Sequence, residues 1–253
     1  MLLGKKSAKR RKAASSLLAA ASLALALGGC SVTTVSPGSV RDQAEGEAGA
    51  TDCRKSTCIA LTFDAGPGKD TPQLLDTLKK EKVPATFFLL GRNHVERYPD
   101  VVRRISSEGH EVANHTWTHR ILTDIERDEV REELSRTQDA IEKLTGRRPT
   151  LMRPPQGRTD DTVSEVSRDL GLAQVLWSVT AKDYATTDSA LIRQRTLDGA
   201  RKDGIILLHD IYDGTVPAVP GIIAELKKRG FTFVTVSQLL APAKAEPGEV
   251  YRP

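Results

Sequence analysis

From Cys58 onward, short apolar runs alternate with amphipathic stretches. The runs CIALTF (58–63), ATFFLL (85–90), EVAN (111–114), LMR (151–153), AQVLWSV (173–179), GIILLHD (204–210) and FTFVTV (231–236) have the length and composition of buried strands. Between them apolar residues return at helical spacing, as Leu74, Leu75 and Leu78, then Val101, Val102 and Ile105, then Val130, Leu134, Ile141 and Leu144. Further helical patterns cover 162–170, 189–200 and 221–229. About seven strand-then-helix units predict an α/β fold, a parallel barrel or a doubly wound sheet, folded as a single domain.

The pattern fades at both ends. Residues 31–52 are small, polar and acidic with no aromatic, and the segment after Leu240 (APAKAEPGEVYRP) has no periodicity. The first reads as a flexible tether and the second as a disordered tail. At the N-terminus, Lys5, Lys6, Lys9, Arg10, Arg11 and Lys12 precede an apolar run from Leu17 to Leu27 and then Cys30. A run of about 11 residues is too short to cross a hydrocarbon core of about 30 Å, so a removed export signal over 1–29 is expected rather than a permanent span. The small residues before Cys30 resemble a lipobox. Lipidation there would tether the protein to the outer face of the cell membrane; plain secretion is the alternative, and Arg10–Arg11 leaves twin-arginine export open. The expected division is signal 1–29, lipidated cysteine and tether 30–52, domain 53–241 and tail 242–253.

The formal net charge of +4 comes from 37 basic and 33 acidic residues, and six of the basic ones lie within 1–29. Without that segment the acidic residues slightly outnumber the basic. Nucleic acid is therefore excluded as an expected partner, and nothing calls for more than a monomer. Outside the cytoplasm, Cys53 and Cys58 are free to pair as a disulfide clamping the chain ahead of the first strand.

Chemistry-bearing side chains collect at the carboxyl ends of the expected strands. Asp64 follows the first, His115 and His119 the third, Asp183 the fifth; Arg153 ends the fourth and His209 the sixth. In a parallel barrel these ends share one mouth. His115 and His119, four apart, would share one side of a helical turn and ligate one metal ion. Asp64, followed by Ala65-Gly66-Pro67-Gly68, suits a general base. Arg153-Pro154-Pro155-Gln156-Gly157 forms a rigid loop whose arginine can pair with Asp64 and whose free N–H groups can bind an oxyanion. His209 suits a general acid, with Asp183 holding its ring.

Five segments in order, TFDAGP (62–67), HTWTH (115–119), RPPQG (153–157), Asp183-Tyr184 and LLH (207–209), resemble the motifs of the polysaccharide deacetylases of carbohydrate esterase family 4, the NodB-like domain. The resemblance implies a distorted (β/α) barrel that removes acetyl groups from sugar residues of a polysaccharide, peptidoglycan or a chitin-like glycan, with a divalent metal, zinc by preference. It implies Asp64 as catalytic base, His115 and His119 as metal ligands, Arg153 as the partner of Asp64, His209 as acid tuned by Asp183, and Gln156, Tyr184 and Leu207 against the substrate. The family's first motif carries Asp-Asp where this chain has Asp64-Ala65, and the second aspartate is its third metal ligand. Asp64, Asp70, Asp210, Asp213 or water are the candidate replacements. Gln156 and Tyr184 stand where relatives carry an aromatic and a tryptophan, and Thr180 where many carry an aspartate. Two other readings follow from these departures: a catalytically impaired glycan-binding envelope lipoprotein, and a related hydrolase of cyclic or small amides.

Overall fold

A computed structural model describes residues 1–2 and 32–253; the basic leader, the apolar run 17–27 and Cys30 lie outside the described residues. The central strand is β1 (Cys58–Asp64), buried along its whole length. β7 (Gly204–Leu208) lines one edge of it. On the other edge β8 (Thr232–Val234) pairs with its first three residues and β2 (Thr86–Leu89) with its last three. Beyond β2 follow β3 (Glu111–Asn114), β4 (Leu151–Met152), β5 (Ala173–Val175) and β9 (Val250–Tyr251), while β6 (Val179–Thr180) lies outside β7. Every pairing is parallel. The sheet curls into an open barrel with β6 at one edge and β9 at the other. Parallel order puts all carboxyl ends on one rim, where the polar residues gather.

Alternation along β1 divides the core. Ile59, Leu61 and Phe63 pack with Leu74, Leu75 and Leu78 of α2 (Thr71–Glu81) and with Val219, Ile222, Ile223 and Leu226 of α7 (Thr215–Lys228). Cys58 and Ala60, one step out of phase, belong to an inner cluster with Phe88, Ala113, Val175, Ile205 and Val234. The remaining outer helices are α3 (Pro99–Ser107), α4 (Arg127–Thr145), α5 (Asp161–Asp169) and α6 (Ser189–Gly199). α4 begins in a Glu126–Glu129 capping box and stops at Gly146, whose φ of 69° is the left-handed conformation that costs glycine nothing. Among the described residues no helix is long and apolar enough to cross a membrane.

Four features differ from the sequence expectations. The run 173–179 is two strands, because its backbone changes partners midway: Leu176 N–H donates to Tyr251 on one edge of the sheet and Ser178 N–H to Ile205 on the other. The run 231–236 stops at Val234, where a Thr235–Gln238 capping box starts α8 (Val236–Leu240) and overrides the strand preference of its β-branched residues. The tail is ordered: β9 pairs with β5, and Tyr251 is buried with its hydroxyl accepting the N–H of Glu246. The expected tether is ordered from Val35, which pairs with Tyr251, through α1 (Pro37–Gln43). Arg41 of α1 is buried and grips Asp203 with two nitrogens, at 2.6 and 3.1 Å. The apolar residues within these two polar segments pack on each other, which composition averaged over the segment conceals. The sulfurs of Cys53 and Cys58 are bonded, closing the turn ahead of β1.

Candidate active site

Asp64 ends β1 with 2% of its surface exposed. Its Oδ1 accepts from Nη1 of Arg153 at 2.6 Å, and the same nitrogen donates to Oγ1 of Thr62 at 2.8 Å. Nε of Arg153 donates to the Val175 carbonyl at 2.9 Å, and its guanidinium lies 4.0 Å from the Phe88 ring centroid. Arg153 is thus locked between three strands and fixes the carboxylate with it. The loop after Asp64 is held by β2: Ala65 N–H donates to Phe88, and Leu90 N–H donates to Gly66.

His115 and His119 are brought together, with ring centroids 4.9 Å apart, but on a loop and not on the expected helical turn. Thr116 and His119 both take positive φ, 72° and 65°, which a β-branched threonine rarely adopts. Side chains enforce it. Asn114 Oδ1 accepts the N–H of Thr116, and Thr116 Oγ1 accepts the N–H of His119. Glu133 of α4 accepts the N–H groups of Trp117 and Thr118, at 3.0 and 2.7 Å, and the Thr118 hydroxyl. Trp117 lies flat on Gly91, where any Cβ would meet its ring at 2.1 Å.

His115 Nδ1 sits 2.8 Å from the Arg153 carbonyl, which fixes the N–H on that nitrogen and leaves Nε2 as the free donor pair, 4.0 Å from Asp64 Oδ2. Burial pushes the His115 pKa down to about 4, against the pull of the Asp64 charge. Partial burial of its ring at the rim also lowers that of His119. Both rings are therefore neutral near pH 7, the form that binds metal.

His209 follows β7. Its Nδ1 lies 2.9 Å from Asp183 Oδ1. Asp183 Oδ2 accepts the backbone N–H of His209 and the hydroxyl of Thr215. Burial lowers the His209 pKa, but the hydrogen bond and charge of Asp183 outweigh it and leave the ring above its ordinary value. Tyr184 is exposed and stands edge-on to His209 at 6.1 Å, while Leu207 is 5% exposed on β7. Gln156, at φ 58°, is exposed in a turn closed by Gly157 N–H to Pro154 and Arg158 N–H to Pro155, neither involving its own N–H.

In sequence and in fold the chain is similar to known proteins. The model of the family described as polysaccharide deacetylase matches residues 51–175. A peptidoglycan-N-acetylglucosamine deacetylase of Bacillus cereus is 38% identical over 188 residues, covering 72% of this chain and 87% of that protein. The chain belongs to the polysaccharide deacetylase family. Within it, the peptidoglycan-N-acetylmuramic acid deacetylase PdaC of Bacillus subtilis is 43% identical over 182 residues, 72% of this chain but only 38% of PdaC. This chain thus matches well under half the length of that relative. The solved structure of a T48 deacetylase with substrate superposes with a TM-score of 0.76 at 38% identity, covering 80% of this chain and 100% of that one.

Deacetylases of this family are metal-dependent in general. Here the donors fit a weakly held ion and not a closed three-ligand site. Two neutral imidazoles are present, Ala65 presents a methyl group, and among the described residues no three His, Cys, Asp or Glu side chains form a metal-holding group. Of the expected replacements, Asp70 and Asp213 face Lys69, at 3.8 and 3.1 Å. Asp210 is fully buried, with Oδ2 accepting from Thr71 and Oδ1 unpaired among the described residues, and it makes no ion-pair contact with either histidine. Asp64 Oδ2 remains the nearest carboxylate oxygen to the histidines.

Sequence reasoning missed Asn114, Glu133 and Thr62. Only Glu133 left a signal. It lies on the apolar stripe of α4 with Val130, Leu134 and Ile141, and a carboxylate on a buried face needs a partner.

Proposed function

We propose that this chain is an exported hydrolase that removes acetyl groups from N-acetylated sugar residues of a polysaccharide, with peptidoglycan as the leading candidate and a chitin-like glycan as the second. The observation that supports it best is the meeting, on one rim, of the Asp64–Arg153 pair, the two imidazoles and the His209–Asp183 pair.

In this reading Asp64, its other oxygen held by Arg153, takes a proton from a water on Oδ2 as that water adds to the acetyl carbonyl. The N–H of Gln156, left out of its own turn, faces the oxyanion. With Nδ1–H given to Asp183, His209 carries a second proton on Nε2 and passes it to the departing amine as the C–N bond breaks, leaving acetate and a free amino sugar. Leu207 and Tyr184 wall the acetyl group. A divalent ion, zinc by the preference of imidazole donors, would attach through His115 and His119 and supply Lewis acidity to water and carbonyl.

The same reading places the protein outside the cytoplasm as a monomer, lipidated on Cys30. Intact-mass measurement of the membrane fraction checks this by the mass of two or three acyl chains. With the chain docked again at Val35, only a few residues would separate the lipid from the folded body.

Ala65 favours a second reading, a catalytically impaired glycan-binding lipoprotein. Incubation of the protein with N-acetylglucosamine oligomers and with peptidoglycan, with and without added divalent ions, separates the two. Acetate together with new free amines is expected. Glycan binding with no release under any ion selects the second reading.

A further inference from the structure

Among the described residues beyond Met1 and Leu2, Tyr184 and Tyr212 are the two exposed large hydrophobic side chains, at 56% and 37%. Both stand edge-on to the His209 ring. Tyr184 lies at 6.1 Å and 87°, Tyr212 at 5.3 Å and 66°. The exposed aromatic surface is thus gathered at one point of the rim, where apolar exposure marks a binding groove rather than scattered surface residues.

The two tyrosines come from different connections, Tyr184 from the turn after β6 and Tyr212 from the turn between His209 and α7. One carboxylate braces both turns. Asp183 precedes Tyr184 and accepts from His209 and Thr215, and the N–H of Thr215 in turn closes on the carbonyl of Tyr212. The turns also touch directly. Ser189 Oγ donates to the Gly214 carbonyl at 2.8 Å, and a Cβ at Gly214 would meet the Thr187 carbonyl at 2.7 Å. The backbones that carry the two rings are therefore braced against one another, so less of the two turns remains to be ordered on binding.

We infer that Tyr212, named by none of the five motifs, is a further substrate-binding residue that adds a second aromatic ring beside Tyr184 to a subsite for a pyranose ring. A tyrosine offers a flat apolar face and a hydroxyl at its tip, which matches the C–H faces and equatorial hydroxyls of a hexose. The inference rests on the hydrolase reading for the sugar's identity.

The test combines kinetics with direct calorimetric binding of an N-acetylglucosamine tetramer. Tyr212→Ala is expected to weaken tetramer binding and raise KM by roughly tenfold, with kcat within about twofold of wild type. Tyr212→Phe keeps the ring and is expected to stay within about threefold on both. If Tyr212→Ala binds the tetramer as wild type does and changes only kcat or its pH profile, Tyr212 merely packs His209 and the subsite is overturned. Because binding is read separately, a wild type that binds without releasing acetate refutes the hydrolase reading while the Tyr212 comparison still decides the subsite. A wild type that does not bind the tetramer at all overturns the subsite.

Discussion

Arg153 and Asp64 meet at 2.6 Å with neither side chain more than 2% exposed, joining residues 89 positions apart across the barrel mouth. In so dry a place an ion pair contributes little net stability, because desolvation offsets most of the attraction, but losing one partner strands the other charge. Arg153→Ala is therefore expected to cost about 3–5 kcal/mol. Arg153→Lys should recover only part of this, since an ammonium cannot reach Val175, Thr62 and Asp64 together as the planar guanidinium does. Urea unfolding of the three proteins measures the order.

The His209 ring is raised above its ordinary pKa by Asp183, in spite of burial. A general acid must be protonated, so activity is lost as pH rises through this value. Asp183→Asn removes that charge and leaves burial opposed only by the weaker pull of the Asp64 charge. The alkaline limb of the kcat/KM profile should then move to lower pH. A pH–rate series, with the His209 ring signals followed by NMR, checks both the direction and the assignment.

Ala65 takes φ 62°, a conformation in which aspartate is more at ease than alanine. Ala65→Asp should therefore fold with unchanged or slightly higher Tm while binding zinc at least tenfold more tightly, as a third ligand joins His115 and His119. Competition with a chromogenic chelator reads the affinity. Equal affinity in both proteins would mean that another oxygen already completes the site.

Asp210 is wholly buried, with Oδ1 unpaired among the described residues and its pKa pushed by burial up to about 6. Between its ordinary value and about 6 the folded state holds the proton more tightly than the unfolded chain, so this group contributes stability at low pH that is lost as pH rises through that window. Asp210→Asn should remove this slope. Its Tm relative to wild type is expected to climb between about pH 4 and pH 7; thermal melts at several pH values would show a constant difference if the buried carboxyl does not titrate there.

Legibility differed by the kind of interaction involved. β1 and β7, buried on both faces, read directly from their continuous apolar runs, and β3 also falls where the pattern puts it. The rim residues were legible for a related reason: in a parallel sheet, the position just after a strand maps onto one mouth. The backbone switch at Leu176–Ser178 was not legible, since both edges offer equivalent carbonyls and only the curl of the sheet decides between them. Nor was the loop carrying His115 and His119. A spacing of four suits a helix, but Asn114, through a local bond to the N–H of Thr116, and Glu133, whose side chain reaches the N–H groups of Trp117 and Thr118 from α4, hold the chain out of one without leaving any periodicity. The tail and tether were missed because a few anchors, Val35, Arg41 and Tyr251, order long polar segments.

The central claim is that Asp64 works as the base of an amide hydrolase, and acetate release from N-acetylated glycan oligomers by wild type and Asp64→Asn tests it most directly. With circular dichroism confirming that both are folded, wild type should release acetate in equal number with free amines, and Asp64→Asn should do so roughly 10²- to 10⁴-fold more slowly. Equal rates from the two proteins, or no release from wild type with any divalent ion, would contradict it.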